Sequence, residues 1–470
     1  MKASIRNWLS VVAILGLALA VAGCGNPTPE PTVAPTEPPP TEPAEEAEEM
    51  EPTEAPEEPE PTEAEEAEES EEAEESAEAD KVLKVGILAP YSGPAALSGK
   101  EFRGSAEIAL DRVNWQIGSY KIEPVWIDSQ SDPAKASQAY EQAVVQDGIQ
   151  VAMLNWHSSV AVACMEVAAK YQIPHLAPFG ATEVVNETFH SDPEKYGYWT
   201  SKWWATPAKL TGGYIDTMEE AISSGRWTPE EKTVAIYGED TDWGRSFAGA
   251  LMDQLEAAGW EVIDEEYFAA DQVEFYPYIN KLNDLNPALL AGTHTGAAAF
   301  SGLLNQADEL GLGAMIIADG LGRFGEWYEL TGSSSDYVLD QITPSFTGPE
   351  GEAYVDEFEE RYDFTPSASA GGLAYDGAGF FIAIAQEVYE ETGELTSETI
   401  YDFIQNKLWT GEWSYTDGIV MEEYAFTQES IPDPVVGAGY YVFPIVQYVD
   451  GEANIVYPPS QAEMDLGFKE

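Results

Sequence analysis

The sequence predicts an α/β fold made of two doubly wound lobes. From Lys81 onward, short β-rich apolar runs alternate with amphipathic segments at helical spacing, and the same rhythm restarts after about Thr206. Such alternation is typical of parallel sheets that carry helices on both faces. Because the two runs separate near residue 204, we expect two lobes of similar design.

The first run contains four predicted strands and three predicted helices. The strands are VLKVGILAP, KIEPVWID, VAMLN and IPHLAP. The helices are GKEFRGSAEIALDRVNWQ, DPAKASQAYEQAVVQDG and SSVAVACMEVAAKYQ. The second helix has the clearest start, because Asp132 is a favourable N-cap residue and Pro133 suits the first turn.

The second run repeats the pattern, and a mixed tail follows it. Its predicted strands are KTVAIYG, WEVIDEEYF, PALLAGTH and GAMIIAD. Its predicted helices are PAKLTGGYIDTMEEAISS, DWGRSFAGALMDQLEAAG, FYPYINKLNDLN and TGAAAFSGLLNQADELGL. The tail holds three helical segments, GEAYVDEFEERY, GGLAYDGAGFFIAIAQEVYEE and SETIYDFIQNK, and a final strand set in GYYVFPIVQYVDGEANIVYP.

The first 80 residues differ in character from the rest. Residues 1–23 have two positive charges followed by an apolar run of signal-peptide length, so we expect an export signal. VAGC ends this run and resembles the bacterial lipobox, which predicts lipidation of Cys24. Residues 24–80 are then expected to form a disordered stalk, because Pro, Thr, Glu and Ala leave almost nothing to bury.

Charge and cysteine content exclude several functions. The formal net charge is −64, and residues 81–470 alone carry 62 acidic and 19 basic residues. Nucleic acid and anionic lipid surfaces would be repelled, so neither is an expected partner. Apart from Cys24 the chain has only Cys164, so no internal disulfide can form.

The stretch NWHSSVAVA raises the question of catalysis, since His157 stands beside Ser158 and Ser159. No G-x-S-x-G elbow surrounds either serine, and neighbouring residues at a strand end usually point apart. The histidines show no H-x-x-x-H spacing and no cysteine partner, so we expect neither a metal site nor a cofactor. We therefore expect a binding protein and no enzyme.

Ligands of doubly wound sheets bind beyond the carboxyl ends of the strands. Ser158 and Ser159 follow a predicted strand and precede a helix, where they serve either as N-caps or as part of a carboxylate site. Thr182 adds a hydroxyl after the next strand. Asp319 ends a strand of the second run, where it either pairs with an ammonium group or caps a turn. Trp243 either covers an apolar ligand group or packs internally.

These segments together resemble the type I periplasmic binding proteins of the Leu/Ile/Val-binding kind, which serve ABC importers. The resemblance covers about 81–460 and is carried by the ordered set VGILAPYSGPAALSGKEFRGSAEIALDRVN, DSQSDPAKASQAYEQAV, SSVAVACMEVAAKYQIPHLAPFGAT, VAIYGEDTDWGRSFAGAL and LAYDGAGFFIAIAQ. It implies two Rossmann-like lobes joined by a multi-crossover hinge. Lobe 1 would comprise 81–204 and 346–433, and lobe 2 would comprise 205–345 and 434–470.

The resemblance also implies functions for individual residues. Ser158 or Ser159 and Thr182 would hold the carboxylate of an amino acid, the Gly180 carbonyl and Asp319 would hold its ammonium, and Trp243 would cover its side chain. The remaining candidates for the ligand site are Ser98, Trp156, Ala181 and His294. Ser98 and His294 stand where the family often carries aromatic residues, which leaves the preferred side chain open.

The implied activity is capture of a small solute by closure of the two lobes, followed by delivery to a membrane permease. We expect a lipid-anchored, extracytoplasmic monomer that binds a branched-chain-like amino acid or a related compound. Two alternatives stay open at this point. One is a ligand sensor with the same fold, and the other is a binder of amides, urea or aromatic acids.

Overall fold

A computed structural model describes residues 81–324, 327–341, 348–421, 423–437 and 439–469. The predicted signal peptide, the lipidated Cys24 and the stalk lie outside the described residues. The two-lobe α/β fold is confirmed, because the described strands form two separate sheets that are flanked by helices.

The first sheet has six strands in the order β2-β3-β1-β4-β5-β6. Its strands are β1 (Lys81–Ala89), β2 (Gln116–Ile117), β3 (Tyr120–Asp128), β4 (Val151–Met153), β5 (His175–Leu176) and β6 (Trp199–Ser201). All pairings are parallel except the short β2–β3 ladder. The central strand β1 is buried along most of its length, as expected for a strand with helices on both sides.

Five helices follow in the same region. They are α1 (Ala96–Asp111), α2 (Pro133–Gln142), α3 (Ser158–Tyr171), α4 (Glu183–Ser191) and α5 (Pro193–Tyr196). The Asp132 side chain accepts hydrogen bonds from Ala134 N and Lys135 N, so α2 starts as the sequence predicted. The first predicted helix begins earlier than expected, at Ala96, and it ends before Trp115.

The second sheet has seven strands in the order β13-β12-β11-β10-β9-β7-β8. Its strands are β7 (Thr233–Glu239), β8 (Glu261–Phe268), β9 (Leu289–Thr293), β10 (Met315–Asp319), β11 (Leu339–Asp340), β12 (Ile445–Val449) and β13 (Glu452–Tyr457). Its helices are α6 (Pro207–Leu210), α7 (Gly212–Ser223), α8 (Asp242–Ala257), α9 (Tyr276–Leu285), α10 (Ala297–Glu309) and α11 (Trp327–Thr331). The last two strands run antiparallel to their neighbours, so this sheet is mixed.

The chain then returns to the first sheet through α12 (Gly348–Tyr362), α13 (Leu373–Thr392) and α14 (Ser397–Phe403). A π turn precedes α13, and the combined segment 368–392 is long and apolar enough to cross a membrane. Most of it is buried in the protein, however, and α13 packs against α1 as a core helix. The buried Glu101 carboxylate secures this packing by accepting hydrogen bonds from Ser367 N and Gly371 N.

The chain connects the two sheets after Ser201, again after Asp340 and again after Phe403. Two of these connections are held together by stacking of Trp203 on Tyr424, with ring centroids 4.0 Å apart. A hinge between two lobes is built from connecting segments of this kind. The predicted lobe boundaries (81–204 with 346–433, and 205–345 with 434–470) stay a prediction.

Candidate ligand-binding cleft

A small cavity lies where loops from the two sheets meet. Its volume is about 30 Å³, which is room for about two water molecules. A solute therefore enters only if the lobes separate or the lining side chains move. The lining residues are Trp156, His157, Ser158, Phe179, Ala181, Trp204, Trp243, Thr295, Asp319, Gly320 and Arg323.

This position agrees with the expectation for doubly wound sheets. Trp156 and Ser158 follow β4, Phe179 and Ala181 follow β5, and Thr295 follows β9. The carboxyl ends of parallel strands meet at one edge of a sheet, and ligand sites form at that edge. The cavity is therefore the candidate functional site.

Ser158 is the first residue of α3 and is nearly fully buried. Its hydroxyl oxygen accepts hydrogen bonds from Ala181 N at 3.1 Å and from Thr182 N at 3.2 Å. Ser158 is not the N-cap, because His157 occupies that position and no side chain caps the helix. The hydroxyl instead joins the start of α3 to the loop after β5. Two backbone N–H groups thus converge on the Ser158 oxygen, and the partial positive charge at the start of α3 favours an anion nearby.

The neighbouring candidates occupy different positions. Ser159 is half-buried, and it lies outside the set of described residues that line the cavity. Thr182 is the N-cap of α4, with its hydroxyl accepting from Val184 N at 3.4 Å, and it also lies outside that set. Gly180 packs so closely on α3 that an added Cβ would lie 2.2 Å from the Ala161 Cβ. The loop can reach Ser158 because this position has no side chain.

Asp319 ends β10 and faces the cavity from the second sheet. Tyr214 Oη donates to Asp319 Oδ2 at 2.9 Å, and Gln341 Nε2 donates to the same oxygen at 2.6 Å. Burial raises the pKa of Asp319 to about 7, and the nearby Asp340 carboxylate contributes to the increase. A carboxyl group with this pKa exchanges its proton near neutral pH and ionises fully when a cation binds beside it.

Aromatic rings supply most of the remaining wall. Trp243 Nε1 donates to Thr293 Oγ1 at 3.1 Å, and Thr293 Oγ1 in turn donates to the Asp319 carbonyl. Trp204 meets Trp243 edge to face, with ring centroids 6.5 Å apart. Phe179 stacks on Trp204 with centroids 6.2 Å apart. These rings suit a ligand with an apolar or planar part.

Two of the predicted site residues, His294 and Ser98, are not among the described residues that line the cavity. The His294 side chain is buried next to Glu239, with Nδ1 3.3 Å from Oε2, and it is absent from the described lining. Ser98 is buried in α1 and is also absent from that lining. Trp156 and Ala181, in contrast, contribute directly to the cavity.

The geometry gives no support to a catalytic serine. His157 lines the cavity, but no hydrogen bond joins it to Ser158 among the residues that the structure describes. Burial lowers the pKa of His157 to about 4, so the imidazole is neutral at pH 7. Cys164 is fully buried within α3, and burial raises the pKa of its thiol.

Arg323 also lines the cavity, although it was not among the site residues predicted from the sequence. It belongs to the turn Leu321–Arg323 just after β10, and its guanidinium lines the cavity. Asp340 shapes this turn by accepting hydrogen bonds from Gly320 N and Gly322 N. A signal was present in the sequence, since ADGLGR places a basic residue after a predicted strand in a chain with only 21 Lys and Arg.

Comparison with known proteins agrees with this architecture. A family model described as periplasmic binding protein matches residues 82–426. The Leu/Ile/Val-binding protein homolog 8 of Brucella abortus is 24% identical over 419 residues, which cover 82% of this chain and 93% of that protein. Homolog 6 of the same organism is 26% identical over 205 residues, which cover 43% of this chain and 48% of the relative. The chain thus spans about half the length of that second relative.

Solved structures share the fold. A putative branched-chain amino acid ABC transporter protein from Silicibacter pomeroyi aligns with a TM-score of 0.65 at 16% identity, over 83% of this chain and 99% of that one. A Streptococcus pneumoniae binding protein in complex with isoleucine aligns with a TM-score of 0.63 at 17% identity, over 79% of this chain and 98% of that one. A Rhodopseudomonas palustris protein in complex with benzoate aligns with a TM-score of 0.63 at 18% identity, over 80% of this chain and 95% of that one. With the family model matched over most of its length, this chain belongs to the periplasmic binding protein family.

Proposed function

We propose that this chain is an extracytoplasmic solute-binding protein that captures a small amino acid between its lobes and delivers it to the permease of an ABC importer. One observation carries the proposal. Ser158 of the first lobe and Asp319 of the second lobe line the same cavity. An amino acid carries an anionic and a cationic group and can therefore use both of these residues at once.

The first lobe would bind the carboxylate. The Ala181 and Thr182 amides already donate to one oxygen atom, that of Ser158, at the start of α3 and close to the start of α4. The partial positive charge of helix N-termini favours an anion at this position. Ser159 and the Gly180 carbonyl stay candidates for contacts that form once the ligand has entered.

The second lobe would bind the ammonium group. The two hydrogen bonds to Asp319 both use Oδ2, and the carboxyl group borders the cavity. An ammonium group beside it would compensate the burial that raises its pKa. Trp243 and Trp204 would then enclose the side chain of the amino acid.

Contacts between the lobes indicate how binding would be coupled to closure. Glu183 N donates to Ser246 Oγ at 3.2 Å across the cleft, and the Arg323 guanidinium lies 5.5 Å from the centre of the Trp156 ring. A ligand that contacts both walls stabilises this closed arrangement relative to an open one. We also propose that the protein is a monomer anchored to the membrane through lipidated Cys24.

The test is a binding screen on the full chain, first by thermal shift and then by calorimetry, with the twenty amino acids, their amides and small acids. A true ligand at 100 times its Kd adds about 2.7 kcal/mol to the free energy of unfolding. Asp319→Asn should weaken amino-acid binding by more than tenfold, because it removes the partner of a buried charge. Asp240→Asn, in the exposed loop between β7 and α8, is the matched control. Failure of every amino acid to bind would refute the proposal.

An aromatic acid is the second candidate, favoured by the rings of Trp156, Phe179, Trp204 and Trp243 around the cavity. Such a ligand has no ammonium group and would not need an ionised Asp319. Asp319→Asn therefore separates the two candidates, because it should leave the affinity for an aromatic acid within about twofold.

A further inference from the structure

Arg323 carries a buried charge whose hydrogen-bond partners are all neutral. The side chain is only 6% exposed. Its Nε donates to the Gly320 carbonyl at 2.7 Å, and its Nη2 donates to the carbonyls of His294 at 2.5 Å and Asp319 at 3.2 Å. Among the described residues, no carboxylate oxygen lies within 4.0 Å of the guanidinium, and Nη1 has no hydrogen-bond partner. A buried cation of this kind still lacks an anionic partner.

The nearby acidic groups are occupied by other donors. Asp340 accepts from two backbone amides of the Arg323 turn and from Tyr448 Oη. Glu239 accepts from Thr295 N at 2.9 Å. Asp319 accepts from Tyr214 and Gln341. These carboxylates lower the cost of burying Arg323 at a distance, but none of them forms an ion pair with it.

Two further donors border the same cavity. The indole Nε1 atoms of Trp156 and Trp204 are buried and have no hydrogen-bond partner among the described residues. Both rings line the cavity, and that of Trp156 lies against the Arg323 guanidinium. Buried donors in native proteins are nearly always paired. The cavity therefore has more unpaired donors than the carboxylate of a simple amino acid would use.

We infer that Arg323, together with the indole N–H groups of Trp156 and Trp204, forms a second anion subsite, and that the solute is an amino acid with an acidic side chain. This inference rests on the proposed function, because the amino-acid group of the solute would still be held by Ser158 and Asp319. Arg323 suits a carboxylate because Nη1 offers two N–H donors from a planar, permanently charged group. The subsite joins the lobes, since Trp156 and Arg323 come from different sheets.

Pairs of ligands that differ only in the acidic group provide the test. Calorimetry on the full chain compares glutamate with glutamine and aspartate with asparagine. We expect at least one acid to bind more than tenfold tighter than its amide. Arg323→Gln should reduce that ratio to about one, and the ratio is the readout because the substitution also removes a contact between the lobes. Arg245→Gln, which removes an exposed arginine on α8, should leave the ratio unchanged.

Other outcomes are equally informative. The inference is overturned if leucine or isoleucine binds as tightly as the acids, or if the acid-to-amide ratio survives in Arg323→Gln. If circular dichroism shows that Arg323→Gln does not fold, the acid-to-amide affinity ratios of Arg323→Lys and of the wild type decide instead. A wild-type ratio near one refutes the subsite. If no amino acid binds, acidic or neutral, the proposed function itself fails. Binding of neutral amino acids without acid preference refutes only the subsite.

Discussion

Lys202 and Asp433 form an ion pair 2.8 Å long in which neither side chain is exposed to solvent. The pair joins the connection after β6 to the connection before β12. Lys209 Nζ also lies 2.8 Å from Asp433, and Lys202 donates to Asn186 Oδ1 at 2.5 Å. Burial lowers the pKa of Lys202, whereas the two lysines hold the pKa of Asp433 below its ordinary value despite burial. These ion pairs thus hold the two connections between the sheets together.

Asp433→Asn should destabilise the protein strongly. The substitution leaves Lys202 buried without a counter-charge, which typically costs about 3–5 kcal/mol. Urea denaturation measures the loss. Asp240→Asn, which breaks an exposed pair with Arg245, serves as the control and should change stability by less than about 1 kcal/mol. Equal effects of the two substitutions would mean that the buried pair has no special importance.

Ser158→Ala and Ser159→Ala should differ sharply in ligand binding. Ser158 lines the cavity and accepts from two amides, whereas Ser159 does neither. A lost hydrogen bond to a charged group costs roughly 1.5–3 kcal/mol, so Ser158→Ala should weaken binding by about ten- to a hundredfold. Calorimetry with the best amino-acid ligand tests this difference. A larger loss in Ser159→Ala would reassign the carboxylate contact to that serine.

Ligand affinity should rise with pH through the range in which Asp319 ionises. Its pKa is raised to about 7 by burial, so below that pH an ammonium ligand must first displace a proton. We expect affinity to fall by up to tenfold for each pH unit below about 7. Asp319→Asn should bind weakly and with little pH dependence between pH 5.5 and 8. A flat profile in the wild type would exclude an ion pair at Asp319.

The same carboxyl group should make the ligand-free protein less stable at higher pH. A raised pKa means that the folded state keeps a proton that the unfolded state has lost, so this stabilisation is complete below about pH 4 and disappears as the pH rises through 7. Asp319→Asn should therefore gain stability over the wild type at pH 8 and much less at pH 5. Denaturation curves at the two pH values measure the difference, and a constant difference would contradict the shifted pKa.

Gly180→Ala should be destabilising, whereas Gly249→Ala should not. A Cβ at position 180 would lie 2.2 Å from the Ala161 Cβ, but one at position 249 has nothing within 4 Å. Overpacking of this kind costs about 1–3 kcal/mol, while alanine at an open helical site stabilises by roughly 0.5–1 kcal/mol. Combining Gly180→Ala with Ala161→Gly should recover much of the loss. If denaturation shows that the double variant is no more stable than Gly180→Ala alone, the loss would instead come from a backbone conformation at position 180 that requires glycine.

Much of the fold followed from the sequence because helix and strand periodicities alternate over most of it. That alternation also placed Ser158 and Asp319 at strand ends, where the cavity lies. The antiparallel direction of β12 and β13 did not follow, since an apolar run does not encode the direction of its neighbour. The strand β11 that β12 pairs with has only two residues, too few to produce a pattern.

The site was less predictable than the fold, because its contacts come from distant parts of the chain. Thr182 was expected to touch the ligand, but a threonine before a helix is equally a cap, and the structure gives it that contact. Arg323 was missed because its place in the cavity wall depends on Trp156 of the other lobe and on the turn that Asp340 holds. Neither relationship is visible in local spacing.

Lys202 has one further contact, since its Nζ lies 3.4 Å from the Ala181 carbonyl. The same ammonium group therefore supports the crossovers and the loop that borders the cavity. Under the proposed function, substitutions in the 179–182 loop that accommodate a new solute would therefore also change the contacts of the buried lysine that joins the two connections. We therefore expect that transplanting the loop into a relative transfers solute preference only when the lysine and its aspartate move with it.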